Sequence, residues 1–146
     1  MESEKIKNYL YYLLSIKDYM ENELRSKVLS KFENVDEELL NSAIKYLREN
    51  KYIDDEDYIK CYIDNKYKLG YGWNRVIQDL KYKKNLEYSV FEHNKICYDW
   101  YESARGLKVR KYGNINNVDY KVLVKQKNYL IRRGFSMEEV EYAFAN

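Results

Sequence analysis

One sequence pattern recurs three times along this chain of 146 residues, and it limits the possible folds more than any other feature. Each copy contains a helical stretch with a leucine near its end: Leu29, Leu80 and Leu130, which lie 51 and then 50 residues apart. A fixed period of this length is the mark of a chain built from repeated supersecondary units. We therefore expect three small units in tandem.

The residues after each leucine predict where one helix ends and the next begins. A residue type that tolerates a left-handed backbone follows the basic end of each helix, at Asn34, Asn85 and Gly134. One apolar residue comes next and another lies five residues further on, which is the spacing of a hydrophobic staple at a helix start. The three pairs are Val35 with Leu40, Leu86 with Phe91, and Phe135 with Val140.

The predicted starts of the helices after these ends differ in quality. Ser136 and Glu139 can form a capping box, and Asp36 is a good single cap. Glu87 occupies the same position in the second unit and is a poor cap. We therefore expect the third helix of the second unit to begin least regularly.

Composition favours helices over strands. The chain has no proline and five glycines, so helices can run uninterrupted, whereas an all-β chain needs frequent tight turns.

The third unit is expected to open with a helix whose apolar stripe contains Ile96, Trp100 and Ala104. Units of about 50 residues bury too little surface to be stable alone, so neighbours should stack in an elongated, curved array. The sequence predicts an all-α fold of three tandem three-helix repeats, at residues 1–52, 53–95 and 96–146.

The chain lacks the residue patterns of common catalytic, metal and cofactor sites. It has one histidine, no cysteine or histidine at metal-ligand spacing and no glycine-rich phosphate loop, so we expect no metal and no cofactor. Cys97 and His93 could pair as a nucleophile and base, but no third group supports them, and we expect no enzymatic activity. Isolated Cys61 and Cys97, with no apolar run of membrane-spanning length, predict a cytoplasmic protein.

A run of four acidic residues, Asp54-Asp55-Glu56-Asp57, allows two interpretations. It could bind a divalent metal, or it could begin a helix, where negative charge suits the macrodipole. The run lacks the spaced ligands and the glycine of a calcium loop, so the sequence favours the helix start.

Charge is unevenly distributed although the net charge is only +2. Residues 1–72 carry 12 basic and 15 acidic groups, whereas residues 73–146 carry 14 and 9. Between residues 103 and 133 there are nine basic residues and one acidic residue, Asp119. Such a block can be a solvated helix face, but its excess favours a binding site for phosphates or for an acidic protein surface. The nine candidate binding residues are Arg105, Lys108, Arg110, Lys111, Lys121, Lys125, Lys127, Arg132 and Arg133.

Four segments resemble, in order, the signature motifs of the RecX family, bacterial regulators of the RecA recombinase. They are YLLS at 12–15 with Glu23-Leu24, LRENKYIDD at 47–55, GYG at 70–72 with RVIQDL at 75–80, and RRGFS at 132–136. The resemblance covers nearly the whole chain. It departs from the family at three positions: Lys51 replaces a usual glycine, Trp73 a common proline, and Met20 a frequent serine cap.

The resemblance implies three tandem three-helix repeats, in agreement with the periodicity. It also implies binding to the active RecA–DNA filament along its groove and restraint of filament growth, ATP hydrolysis and strand exchange, in DNA recombination and repair. A basic C-terminal face suits a groove lined by acidic protein and exposed phosphate. The expected partners are the RecA nucleoprotein filament and, weakly and without sequence preference, DNA. We expect a monomer, because the filament supplies the multivalency.

A helix-turn-helix protein that binds DNA alone is the alternative, since such proteins are also built from three-helix units. The sequence disfavours it. The last predicted helix, residues 137–146, is acidic and has no row of Arg, Asn or Gln suited to base edges. The basic residues precede it, in a position that suits phosphates rather than sequence reading.

Overall fold

The computed structural model describes residues 2–115 and 118–145 of the chain. Two compact units, residues 1–60 and 61–146, divide the chain within its fourth helix. The first four helices are α1 (Glu2–Ile16), α2 (Glu21–Lys31), α3 (Glu37–Glu49) and α4 (Asp55–Lys68).

The remaining helices belong to the second unit. They are α5 (Trp73–Gln78), α6 (Tyr88–Phe91), α7 (Trp100–Tyr112), α8 (Tyr120–Arg132) and α9 (Met137–Phe144). The helix α5 is followed directly by a π-helical turn (Asp79–Lys83), and α6 is followed directly by a 3₁₀ helix (Glu92–Cys97). Within the described ranges no residue lies in a strand. The predicted all-α fold is confirmed, and the helices follow the order that three three-helix repeats require.

The backbone at the predicted helix ends is left-handed in all three repeats. The φ angles are 52° at Asn34, 57° at Asn85 and 105° at Gly134, which confirms the prediction from residue type. Lys51 also has a positive φ, of 60°. The motif that this segment resembles has a glycine at this position, and here the backbone keeps the left-handed turn and accepts the strain of a side chain.

The predicted helix starts are confirmed as well. Ser136 and Glu139 form the capping box, in which the Ser136 backbone N–H donates to Oε1 of Glu139 at 2.8 Å. Asp36 accepts a hydrogen bond from the backbone two residues further on, at 2.9 Å. Glu87 makes no side-chain cap, and the helix after it runs for four residues before it tightens into the 3₁₀ form.

The first unit is held together by one apolar core. Helix α3 is strongly amphipathic and turns its apolar stripe toward α1 and α2. Burial of each large aliphatic side chain there stabilises the fold by about 1.5–3 kcal/mol relative to exposure. The fully buried members of this core include Ile6, Leu10, Leu24, Val28, Leu40, Ile44 and Leu47.

The start of α2 receives its cap from a residue distant in sequence. The Glu21 backbone N–H donates to Oδ1 of Asp55 at 3.0 Å, and the Met20 backbone N–H donates to Oε1 of Glu23 at 2.9 Å. These two bonds satisfy the backbone donors of the N-cap residue and of the first helical residue, whereas a serine side chain at position 20 would accept from the second or third helical residue. The departure at Met20 therefore leaves α2 capped.

Replacing Asp55 with alanine is expected to destabilise the protein by about 1 kcal/mol, because α2 loses this cap. Asp55→Asn is the matched control, since its amide oxygen can still accept the bond.

Partial burial raises the pKa of Asp55 above its ordinary value, with a further contribution from the Glu21 carboxylate. At pH values between the pKa of Asp55 in the unfolded chain and its higher pKa in the folded protein, the folded state binds more protons than the unfolded state. Wild-type stability relative to Asp55→Asn should therefore fall as pH rises through this range.

Urea unfolding of the three proteins between about pH 3 and pH 7 measures both effects. A wild-type stability that rises relative to Asp55→Asn over this window would contradict the burial argument.

Two glycines join the second and third repeats inside the second unit. The Gly72 backbone N–H donates to the carbonyl oxygen of Arg133 at 2.8 Å, and the Asn74 N–H donates to that of Gly134 at 3.0 Å. A Cβ on Gly72 would lie 2.4 Å from the carbonyl carbon and oxygen of Gly134. Backbone contacts this close require glycine. The motifs GYG and RRGFS therefore meet in space.

The third repeat has its own apolar core between α7, α8 and α9. Phe135, just before α9, is 1% exposed, and Leu130 of α8 is fully buried. These two residues belong to the third copies of the leucine and staple positions, so the repeat pattern and the core coincide here. The other buried members are Ala104, Leu107, Val140, Ala143 and Phe144.

The prediction that Ile96 lies on the apolar stripe of the first helix in the third repeat is wrong. Ile96 lies in the preceding 3₁₀ helix and is 89% exposed, whereas Trp100 and Ala104 are buried as predicted. The helix begins later because Asp99 caps it, accepting a bond from the Glu102 N–H at 3.0 Å.

Candidate functional site

Three of the predicted basic residues form one exposed stripe on α8. Lys121, Lys125 and Arg132 lie within about 40° of one another around the helix axis and extend over about 16 Å along it. All three are exposed. In the described part of the chain none of them has a carboxylate within salt-bridge distance. The stripe is therefore free to bind anionic groups.

Two further predicted residues, Arg110 and Lys111, lie exposed in the last turn of α7. Lys111 Nζ lies 4.1 Å from the ring centroid of Tyr129, which belongs to α8. This cation–π contact places the basic end of α7 beside α8. The negative end of the α7 macrodipole offsets part of this positive charge.

Lys108 is not available to a ligand, so the prediction that it is a binding residue is wrong. It is 2% exposed, and its Nζ donates a hydrogen bond of 2.7 Å to the carbonyl oxygen of Gly113. Burial lowers the pKa of Lys108, and the nearby positive charge of Arg105 lowers it further. The ammonium is buried and bonded to the end of its own helix, so it is not exposed to a phosphate.

Lys127 and Arg105 help to hold α9 in place. Lys127 Nζ forms an ion pair with Oε1 of Glu141 at 3.1 Å. The guanidinium of Arg105 is half-buried and lies 4.5 Å from the ring centroid of Tyr142. Because each side chain already has a partner on α9, the third-repeat fold uses part of the charge that the sequence assigns to binding.

Arg133 links the third repeat to the end of α4. Its Nε donates to the carbonyl oxygen of Gly70 at 3.3 Å, and its Nη2 donates to that of Leu69. Its guanidinium also stacks over the ring of Tyr71, 3.8 Å from the ring centroid. These contacts satisfy the last carbonyls after α4, so Arg133 is foremost a structural residue.

Sequence reasoning missed a second group of cations, around Asp79 in the π-helical turn. The Asp79 carboxylate is nearly buried and lies 3.5 Å from Lys66 Nζ, 3.4 Å from Arg75 Nε and 3.7 Å from Lys83 Nζ. One carboxylate thus faces three cations, which leaves an excess of positive charge. The spacing of four residues on either side of Asp79 was a usable signal for Arg75 and Lys83, whereas Lys66 comes from another helix.

The acidic run at residues 54–57 has a structural role, as the favoured interpretation predicted. Asp54 accepts a bond from the Asp57 backbone N–H at 3.1 Å at the start of α4, and Asp55 caps α2. Among the residues described, no group of three histidine, cysteine or acidic side chains could hold a metal ion. No helix within 2–115 or 118–145 combines the length and the apolar character needed to cross a bilayer.

Comparison with known proteins identifies the family. A protein of Pectobacterium atrosepticum, named regulatory protein RecX, is 30% identical to this chain and aligns with 94% of this chain and 94% of its own length. The chain belongs to the RecX family. A regulatory protein RecX of Salmonella paratyphi B is 32% identical over 92% of this chain and 86% of its own length.

A family model agrees with this membership, and a solved structure agrees with the fold. The family description "RecX, third three-helix domain" matches residues 98–144. A crystal structure of a regulatory protein RecX superposes on 96% of this chain with a TM-score of 0.75, at 21% identity, and 71% of that chain is covered. The three-helix-repeat fold of the RecX family is therefore the fold of this chain.

The last helix of this RecX-family chain is unsuited to reading DNA bases. Helix α9 follows α8 after a short turn, as a recognition helix would. Its exposed residues include Glu138 and Glu141, and carboxylates at those positions repel phosphates. The exposed cations of the third repeat instead lie on α8 and at the end of α7.

Proposed function

We propose that this chain regulates RecA by binding RecA–DNA filaments and restraining their extension, ATP hydrolysis and strand exchange. Membership of the RecX family carries this proposal, since the relatives are named regulatory proteins. The binding site that we propose contains the five exposed cations of the third repeat. They are Arg110, Lys111, Lys121, Lys125 and Arg132.

The physical basis is electrostatic attraction between this site and the filament. Cations without carboxylate partners can release the counterions of a nucleic acid, and this adds affinity that falls with salt. We propose that the third repeat (residues 96–146) provides this anchoring while the first two, residues 1–52 and 53–95, bridge neighbouring RecA subunits. A cytoplasmic monomer suffices, because the filament offers many copies of the same site.

Binding to DNA alone ranks second. The same cations would attract free DNA weakly and without sequence preference, since phosphate contacts carry no direct sequence information. The acidic α9 does not favour a sequence-specific footprint.

The deciding experiment is a titration of RecA's DNA-dependent ATPase with the full chain. Inhibition at ratios well below one protein per RecA subunit would support action on the filament. No inhibition at excess, together with measurable binding to free DNA, would overturn the proposal in favour of plain DNA binding.

A further inference from the structure

An apolar groove in the second unit lies between the 3₁₀ helix and the start of α9. Its volume is about 970 Å³. Ile96 and Met137 line it and are 89% and 60% exposed. Ile96 is the most exposed large apolar residue in the part of the chain that the structure describes. Two exposed apolar side chains that line one groove offer a partner apolar surface to cover.

The floor of the groove is held in a fixed arrangement. The rings of Trp73 and Trp100 lie 5.5 Å apart and are nearly buried, and Trp100 Nε1 donates to the carbonyl oxygen of Lys95 at 2.8 Å. The Trp73 ring also packs on Phe91, with centroids 6.0 Å apart. A floor that is already ordered reduces the entropy lost when a partner binds.

The charged groups around the groove are mainly acidic. Asp99, Glu138 and Glu139 line it, and Lys95 is the one cation among its lining residues. Glu139 is buried in the capping box, whereas Glu138 is exposed and accepts a hydrogen bond from the Tyr101 hydroxyl at 3.2 Å. The capping box engages Glu139 and the start of α7 engages Oδ1 of Asp99, so the exposed Glu138 is the carboxylate best placed to attract a cationic side chain and to disfavour a phosphate.

We propose that this groove binds a short protein segment in which an aliphatic or aromatic side chain is flanked by lysine or arginine. Resting on the proposed function, the inference assigns the segment to the protein subunits of the RecA filament and not to its DNA. The apolar side chain covers Ile96 and Met137, and the cation pairs with Glu138. The cations of α8 and this groove thus contact different parts of one partner.

The test compares two binding measurements for the full chain. One uses RecA filaments formed on an oligo-dT strand with a non-hydrolysable ATP analogue, and the other uses the same strand without RecA. The double variant Ile96→Ser/Met137→Ser should bind filaments at least tenfold more weakly and bind the free strand as the wild type does. Glu138→Lys should also weaken filament binding, and Glu138→Gln less so. Leu69→Ser, at a residue 63% exposed outside the groove, is the matched control and should bind like the wild type.

Each outcome separates this inference from the proposed function. If the wild type does not bind filaments, the proposed function fails. If the wild type binds and the double variant binds equally well, the groove inference is overturned while the proposed function stands. A loss of free-strand binding in the double variant would also overturn it, because the groove would then contact nucleic acid. Circular dichroism checks that each variant is folded.

Discussion

Gly72→Ala is expected to destabilise the second unit by about 3 kcal/mol and to lower its unfolding midpoint by roughly 10 to 20 °C. A Cβ at this position would lie 2.4 Å from the backbone of Gly134. The clash is with backbone atoms, which cannot move aside as the end of a flexible side chain could. The two backbone segments must separate, which breaks the hydrogen bonds of 2.8 Å and 3.0 Å between the second and third repeats. Gly134→Ala should cost at least as much, because its φ of 105° adds strain.

Gly106→Ala is the matched control for these substitutions. Gly106 lies inside α7, and its nearest neighbour would be the mobile end of Arg110 at 3.3 Å. Alanine there should leave stability unchanged or raise it by up to about 1 kcal/mol, because alanine favours helix. Thermal unfolding followed by the fluorescence of Trp73 and Trp100 measures all three variants. A midpoint for Gly72→Ala within a few degrees of wild type would contradict the close contact.

Replacing Lys121, Lys125 and Arg132 together with alanine is expected to weaken filament binding by at least about tenfold at physiological salt. The three side chains have no carboxylate partner in the described ranges, so their loss removes intermolecular contacts without breaking internal ones. The slope of log affinity against log salt should fall by about 2, which corresponds to roughly 0.7 for each single-strand phosphate contact removed. Filament binding measured over a salt series tests both quantities.

The control for this variant removes the same charge elsewhere. Lys5, Lys7 and Lys27 are exposed in the first repeat, and their replacement with alanine lowers the net charge equally. It should change the salt slope little. Equal effects of the two triple variants would mean that net charge, and not the α8 stripe, governs binding. Lys108→Met should leave the salt slope unchanged, because Lys108 is buried.

The helix ends and starts could be predicted in detail from the sequence. The left-handed residues Asn34, Asn85 and Gly134 and the capping box at Ser136 all lie where the pattern places them. Each depends on residues within about five positions along the chain. Local patterns therefore carry this information without any knowledge of the packing.

The candidate site was predictable only in part. Spacing of four residues identified Lys121 and Lys125 as neighbours on one helix face. It could not show that Arg133 bonds to carbonyls 63 and 64 residues away, or that Lys108 is buried. For the same reason the sequence did not reveal that Asp55 caps a helix 34 residues earlier.

By itself the sequence determined the helical class, the repeat period and the helix ends at Asn34, Asn85 and Gly134, because turn chemistry and apolar periodicity act between near neighbours. The tertiary structure decided which cations remain free, which glycines touch, and that Ile96 faces water. Those properties depend on which distant segments meet. The sequence around a charged residue looks the same whether its side chain binds a partner or pairs within its own fold.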